Sequence, residues 1–82
     1  MDNIIPWFGR GYQVKRSDGH SVEYGFVTSG PTFDDCYFVR YWLPDLSELR
    51  TKGNSEKTPA DCLTPCESVP QERVEQALAA YC

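Results

Sequence analysis

Cys62 and Cys66, three residues apart, are the one pair in this chain whose type and spacing suit a soft metal, since short-spaced thiolates are what zinc takes. A closed zinc site needs four ligands, however, and the other two cysteines do not complete one. Cys36 falls inside an apolar run and reads as a small core residue, while Cys82 stands at the end of the sequence. His20 follows Asp18-Gly19 in a turn, with no nucleophile or orienting carboxylate at a recognisable spacing for general-base work. The paired acids Asp34-Asp35 would act as acid and base only if burial pushed their pKa values apart, and their polar neighbours predict a solvated loop. Gly9 and Gly11 lack the preceding strand and the further glycines of a phosphate-binding loop. The expectation is therefore no catalytic set, no metal, no cofactor and no enzymatic activity.

What remains is binding chemistry. Eleven of the 82 residues are aromatic, two Trp, five Tyr and four Phe, more than so small a core needs. Trp7, Phe8, Phe33, Phe38 and Trp42, with Arg40 among them, are the candidates for an aromatic patch that holds a protein segment, as small β modules hold proline-rich or extended peptides, although Trp7 and Phe8 read first as caps over the end of the barrel. A second reading takes Arg10, Lys15, Arg16 and Arg40 as a basic edge which, with Tyr12 or Trp42 for stacking, engages single-stranded nucleic acid. The net charge of −4 opposes it, because proteins that grip phosphate backbones carry a basic excess. Those cations also read as a solvated face balancing the twelve acids.

The elements that must position these residues are legible from periodicity. Residues 36–42 (Cys-Tyr-Phe-Val-Arg-Tyr-Trp) form the densest aromatic and β-branched run, bounded by Asp34-Asp35 and Pro44-Asp45, and predict a central strand. Alternation puts Tyr37, Val39 and Tyr41 on one face and Phe38, Arg40 and Trp42 on the other. Before it, residues 11–16 and 21–29 predict two strands joined by a tight Asp18-Gly19 hairpin, with Val14 inward and Gln13 and Lys15 outward. Gly25 marks a bulge or sharp bend in the second strand. A fourth strand is expected over 47–52 with Leu49 inward, and Thr58-Pro59 is expected to cap and open a single helical turn. Ser68-Val69-Pro70-Gln71 has capping-box spacing, and Val74, Ala77, Leu78 and Tyr81 recur at helical intervals. That helix is marginal alone and must dock, either on the open end of the sheet or, through Val74, Leu78 and Tyr81, on a second copy in a homo-oligomer.

Four strands, a short helical turn, a last short strand and a helix describe a mainly β fold. The opening run from Gly11 to Arg16 with Asp18-Gly19, the Gly25-Phe26-Val27 kink, Val39-Arg40-Tyr41 and the Thr58 to Leu63 turn together resemble the five-stranded SH3-like small barrel. The resemblance covers residues 11–66, with residues 1–10 as an N-terminal arm and 67–82 as the C-terminal amphipathic helix. It implies an accessory protein of the kind carried by phages, plasmids and integron cassettes, without assigning a role. Type II dihydrofolate reductases share the barrel and work as tetramers through a Val-Gln-Ile-Tyr motif; this chain has Leu63-Thr64-Pro65-Cys66 there, so that activity is not expected. With room for one domain, no apolar stretch of membrane-spanning length and a Met-Asp-Asn start unlike a signal peptide, the sequence reads as a cytoplasmic interaction protein whose partner is another protein or itself, with no membrane association.

Overall fold

The computed structural model describes residues 8–51 and 54–81. Trp7, Lys52, Gly53, Cys82 and the side chain of Tyr81 lie outside the described residues. Five strands, β1 (Gln13–Ser17), β2 (Val22–Ser29), β3 (Cys36–Tyr41), β4 (Glu56–Pro59) and β5 (Leu63–Pro65), form one antiparallel sheet in the order β4-β3-β2-β1-β5. A 3-10 turn, Ala60–Cys62, precedes β5, and helix α1 (Gln71–Tyr81) closes the chain. The sheet curls into a half-barrel.

Curling follows from β2, which pairs its first half with β1 and its second half with β3. At the crossing, Gly25 faces the backbone of Arg40 so closely that a Cβ would sit 2.2 Å from the Arg40 carbonyl oxygen. Glycine here serves close approach. The irregularity in register falls later, between Val27 and Ser29, and not at Gly25 itself.

Two apolar clusters fill the two faces of this sheet. Phe8, Val14, Val27, Tyr37, Val39, Tyr41, Ala60 and Leu63 make the inner one. Phe26, Trp42, Leu49, Val69 and Val74 make the other, beneath α1. The expected alternation in β3 holds: Tyr37, Val39 and Tyr41 are fully buried on one side, and both sides of the strand are covered, which is why it reads as a continuous apolar run. Tyr41 donates or accepts at 2.7 Å with the Thr58 hydroxyl, so the buried phenol is satisfied.

Four local expectations are corrected. The strand that pairs with β3 is Glu56–Pro59, not residues 47–52. Residues 43–48 instead make a local turn, in which Asp45 accepts from the Ser47 amide and hydroxyl and Leu43 N–H donates to the Glu48 carbonyl, leaving a single Trp42–Leu49 bridge. Leu49 is buried as expected. Thr58 lies inside β4, and Pro59 takes the cap position of the 3-10 turn without a side-chain bond. The capping box does not form: the Ser68 hydroxyl is buried without a hydrogen-bond partner, while Gln71 reaches back to donate to the Gly11 carbonyl at 3.1 Å.

Gln13 explains that last difference and overturns its own expected outward placement. It is 5 % exposed, and its amide accepts from the Ser68 and Val69 N–H groups at 3.1 Å each while donating to the Val69 carbonyl at 2.8 Å and Gln71 Oε1 at 3.2 Å. One side chain of β1 thus satisfies the backbone groups of the Ser68–Val69 segment that leads into α1. On the far face of the helix start, Arg73 donates to the Leu46 and Ser47 carbonyls at 2.7 and 2.9 Å and stacks 4.9 Å above the Trp42 ring.

Candidate functional site

The turn before β1 builds one wall of an open recess. Gly11 adopts a left-handed conformation (φ 84°) and packs under Leu78 of α1, a geometry that favours a residue without Cβ. Tyr12 N–H closes a turn onto the Gly9 carbonyl at 3.0 Å, and Gly11 N–H and the Tyr12 carbonyl both bond to Val27. The turn aims Tyr12 outward, 46 % exposed, with its ring 5.4 Å from Phe8. Phe8 in turn stacks on Tyr37 at 5.1 Å and donates its N–H to the Tyr37 hydroxyl at 3.1 Å.

Opposite Tyr12 runs the end of β5. Pro65, Cys66 and Glu67 form the second wall, fixed by a bond from Cys66 N–H to the Gln13 carbonyl at 3.1 Å. Between the walls lies an open cleft of about 580 Å³, lined also by Gly9, Arg10 and Gly11, with Gln13 and Gln71 toward the helix. Glycine backbone, an aromatic face, a proline and a half-buried thiol line it beside two charged residues. Such a surface can take an extended chain, whose side chains stack on the exposed ring and pack against the proline. Sequence reading did not place Pro65, Cys66 or Gln71 here, and took Tyr12 only as a stacking residue for nucleic acid. The usable signal was Gly11-Tyr12, a glycine delivering an aromatic to the start of a strand.

The predicted aromatic patch is not gathered. Trp7 lies outside the described residues. Phe8 is 2 % exposed, a wedge under Tyr12 and not a contact residue. Trp42, at 4 %, is roofed by Arg73 and Leu49, and Arg40, at 8 %, is buried on the same side of β3. Phe38 is half-buried between Ser29 and Lys57. Burial of these bulky groups is what a core of this size needs, and it removes them from the surface. Among the described members of the set Phe33 alone is exposed, fully so, in the β2–β3 loop.

Nor do the cations form a basic edge. Arg16 is drawn to Asp18 (3.7 Å), Glu23 (3.8 Å) and Glu56 (3.8 Å), and Arg50 bonds Glu23 at 2.8 Å and Glu56 at 2.9 Å. Both guanidinium groups lie against Tyr41, 5.8 and 5.6 Å from its ring centre. Burial pushes the Tyr41 phenol upward from its ordinary pKa, while the Glu56 contact raises Arg50 further. These pairs are about a third exposed, and each contributes little to stability, but they spend the positive charge internally. Arg10 is exposed at the cleft, Lys15 is half-buried, and Arg40 is interior. The helix stripe also turns inward: Val74 is fully buried and Leu78 packs on the same cluster, so one face of the chain's own sheet takes those two residues of the stripe assigned to a second copy.

The loop that carries Phe33 is tightly built. Thr32 N–H donates to the Cys36 carbonyl at 2.9 Å, Cys36 N–H to the Thr32 hydroxyl at 3.1 Å, Asp35 N–H to the Thr32 carbonyl at 3.1 Å, and Ala60 N–H to the Asp35 carbonyl at 2.9 Å. Asp34 accepts from the Thr32 hydroxyl and pairs with Lys57 at 3.1 Å. The hydroxyl first, then the ammonium, hold the Asp34 carboxyl at about 2, against the ordinary 3.8. A depressed folded-state value means the contribution is whole above the ordinary value and is withdrawn as pH falls from there through about 2. Acid titration followed by NMR should therefore loosen the amides of residues 32–36 in that window, and Asp34→Asn should abolish the step.

His20 is exposed in the hairpin turn, where Asp18 accepts from the His20 and Ser21 amides at 2.9 and 3.1 Å. Among the described residues no three His, Cys, Asp or Glu side chains converge as metal ligands, and no helix is long and apolar enough to cross a membrane. Comparison with known proteins finds no matching family, no matching curated protein and no matching solved structure.

Proposed function

We propose that this chain is a non-enzymatic protein-binding module whose cleft between Tyr12 and Pro65–Cys66 takes an extended segment of a partner protein. The observation that carries this reading is Tyr12, an aromatic held half in water by a glycine turn and braced from below by Phe8, where burial was available. Sheet order β4-β3-β2-β1-β5 with a 3-10 turn before the last strand supports the SH3-like barrel as the scaffold. The nucleic-acid reading loses its support with Arg16 committed to carboxylates and Arg40 inside.

A displayed library of random dodecapeptides panned against the purified chain tests it. Selected peptides should shift the amide resonances of Gly9, Gly11, Tyr12 and Cys66, and Tyr12→Ala should weaken them at least about tenfold while removing only a part-exposed ring from the fold. Peptides that perturb another surface, or bind the Tyr12→Ala protein equally well, would sink the reading.

A further inference from the structure

One chain carries both a projection and a recess, and both lie at the same end of the sheet, where the turn before β1 bonds to Val27 near the end of β2 and the β2–β3 loop begins. Phe33 is 110 % exposed, on a loop fixed by the bonds of Thr32, Asp34, Asp35 and Cys36, so the ring is presented on a preorganised support, which association rewards. The recess is the Tyr12 cleft. Beneath that end, the buried rings of Phe8 and Tyr37 fill the interior: Tyr12 meets Phe8 at 5.4 Å, Phe8 meets Tyr37 edge-on at 5.1 Å, and the Gly30 backbone at the foot of the loop lies so near that a Cβ there would come within 2.9 Å of the Tyr37 ring. When projection and recess share one end of a molecule, two copies related by a two-fold axis satisfy both contacts at once and the assembly closes.

We propose that this end is a self-association surface in which Phe33 of each copy enters the Tyr12 cleft of the other. The proposal rests on the cleft being the binding site, and it names a second copy as an occupant. The cleft, about 580 Å³, has room for a phenyl ring and its flanking backbone. The loop also carries an exposed acid, Asp35, two residues after the ring and opposite in sign to the exposed Arg10 of the cleft lining, while Glu67 on the same lining keeps the contact from closing tightly. Each aromatic projection buries about 200 Å² and covers a similar area, roughly 800 Å² in all by two-fold symmetry, below the span of stable complexes. The dimer is therefore transient, and the cleft stays open to a competing segment.

Sedimentation velocity of the full chain under reducing conditions, which keep Cys82 from cross-linking, reads the result. Wild type should show a reversible, concentration-dependent monomer–dimer equilibrium. Phe33→Ser should weaken dimerisation at least about thirtyfold without lowering the melting temperature, because its ring is wholly in water. A wild type that stays monomeric at millimolar concentration, or a dimer that survives Phe33→Ser, overturns the proposal. At concentrations where wild type is dimeric, library peptides that bind the Phe33→Ser monomer more tightly than wild type would support mutual occlusion of the cleft, and equal binding would overturn it. If no peptide binds either protein, the peptide-binding reading falls independently of what sedimentation shows.

Discussion

Gly25→Ala should cost at least about 3 kcal/mol and leave little folded protein at room temperature, the largest loss expected from adding one methyl group to this chain. The added carbon would lie 2.2 Å from the Arg40 carbonyl oxygen and 3.0 Å from the Tyr41 Cα. Neither is the end of a side chain that can swing away; both belong to the strand hydrogen-bonded to β2. Relief requires β2 and β3 to separate at the point where Gly25 pairs with Tyr41 on one side and Val14 on the other. Gly9→Ala is the matched control, since nothing lies within 4 Å of its added carbon. Urea midpoints of the two variants should differ widely, and near-equal midpoints would show that the strand crossing is slacker than this geometry requires.

Gln13→Leu is expected to cost about 3 kcal/mol or more by a different route. Leucine fills a similar volume yet leaves the Ser68 and Val69 amides, the Val69 carbonyl and Gln71 Oε1 without the partner that Gln13 supplies. Buried polar groups left unmade cost about 1–3 kcal/mol each, and the protein can recover part by admitting water at the half-exposed Ser68. The loss should be uneven across the molecule. Hydrogen exchange should accelerate first over residues 68–74, ahead of β2 and β3, whereas uniform acceleration would mean that the glutamine props the whole sheet and not the start of α1.

These two residues mark where sequence reading succeeded and where it stopped. Period-two alternation placed Tyr37, Val39 and Tyr41 correctly because the strand is buried on both faces and carries an unmistakable composition. The Asp18 turn and the 71–81 helix followed from equally local chemistry. Gln13 was read as outward because a polar residue in an alternating strand normally is, and its partners lie 55 or more positions away, beyond any local pattern. Strand β4 escaped for a related reason: in Glu-Lys-Thr-Pro only Thr58 is buried, and an edge strand tolerates the proline and charges that argue against a central one. The aromatics were the hardest to sort. Trp42 and Phe33 look alike as isolated letters, yet one lies beneath Arg73 and the other stands in solvent, a distinction set by which loops fold over them.

The Gln13–Gln71 pair has two employments at once, since it ties the helix to the sheet and also lines the cleft. Any guest that settles there only while the pair is intact will, by mass action, shift the helix away from its fraying states by the same free energy that helix docking lends to the guest. Occupancy at one end of the molecule is thereby written into the steadiness of its C-terminal helix, a message that passes through two amide groups and no moving domain.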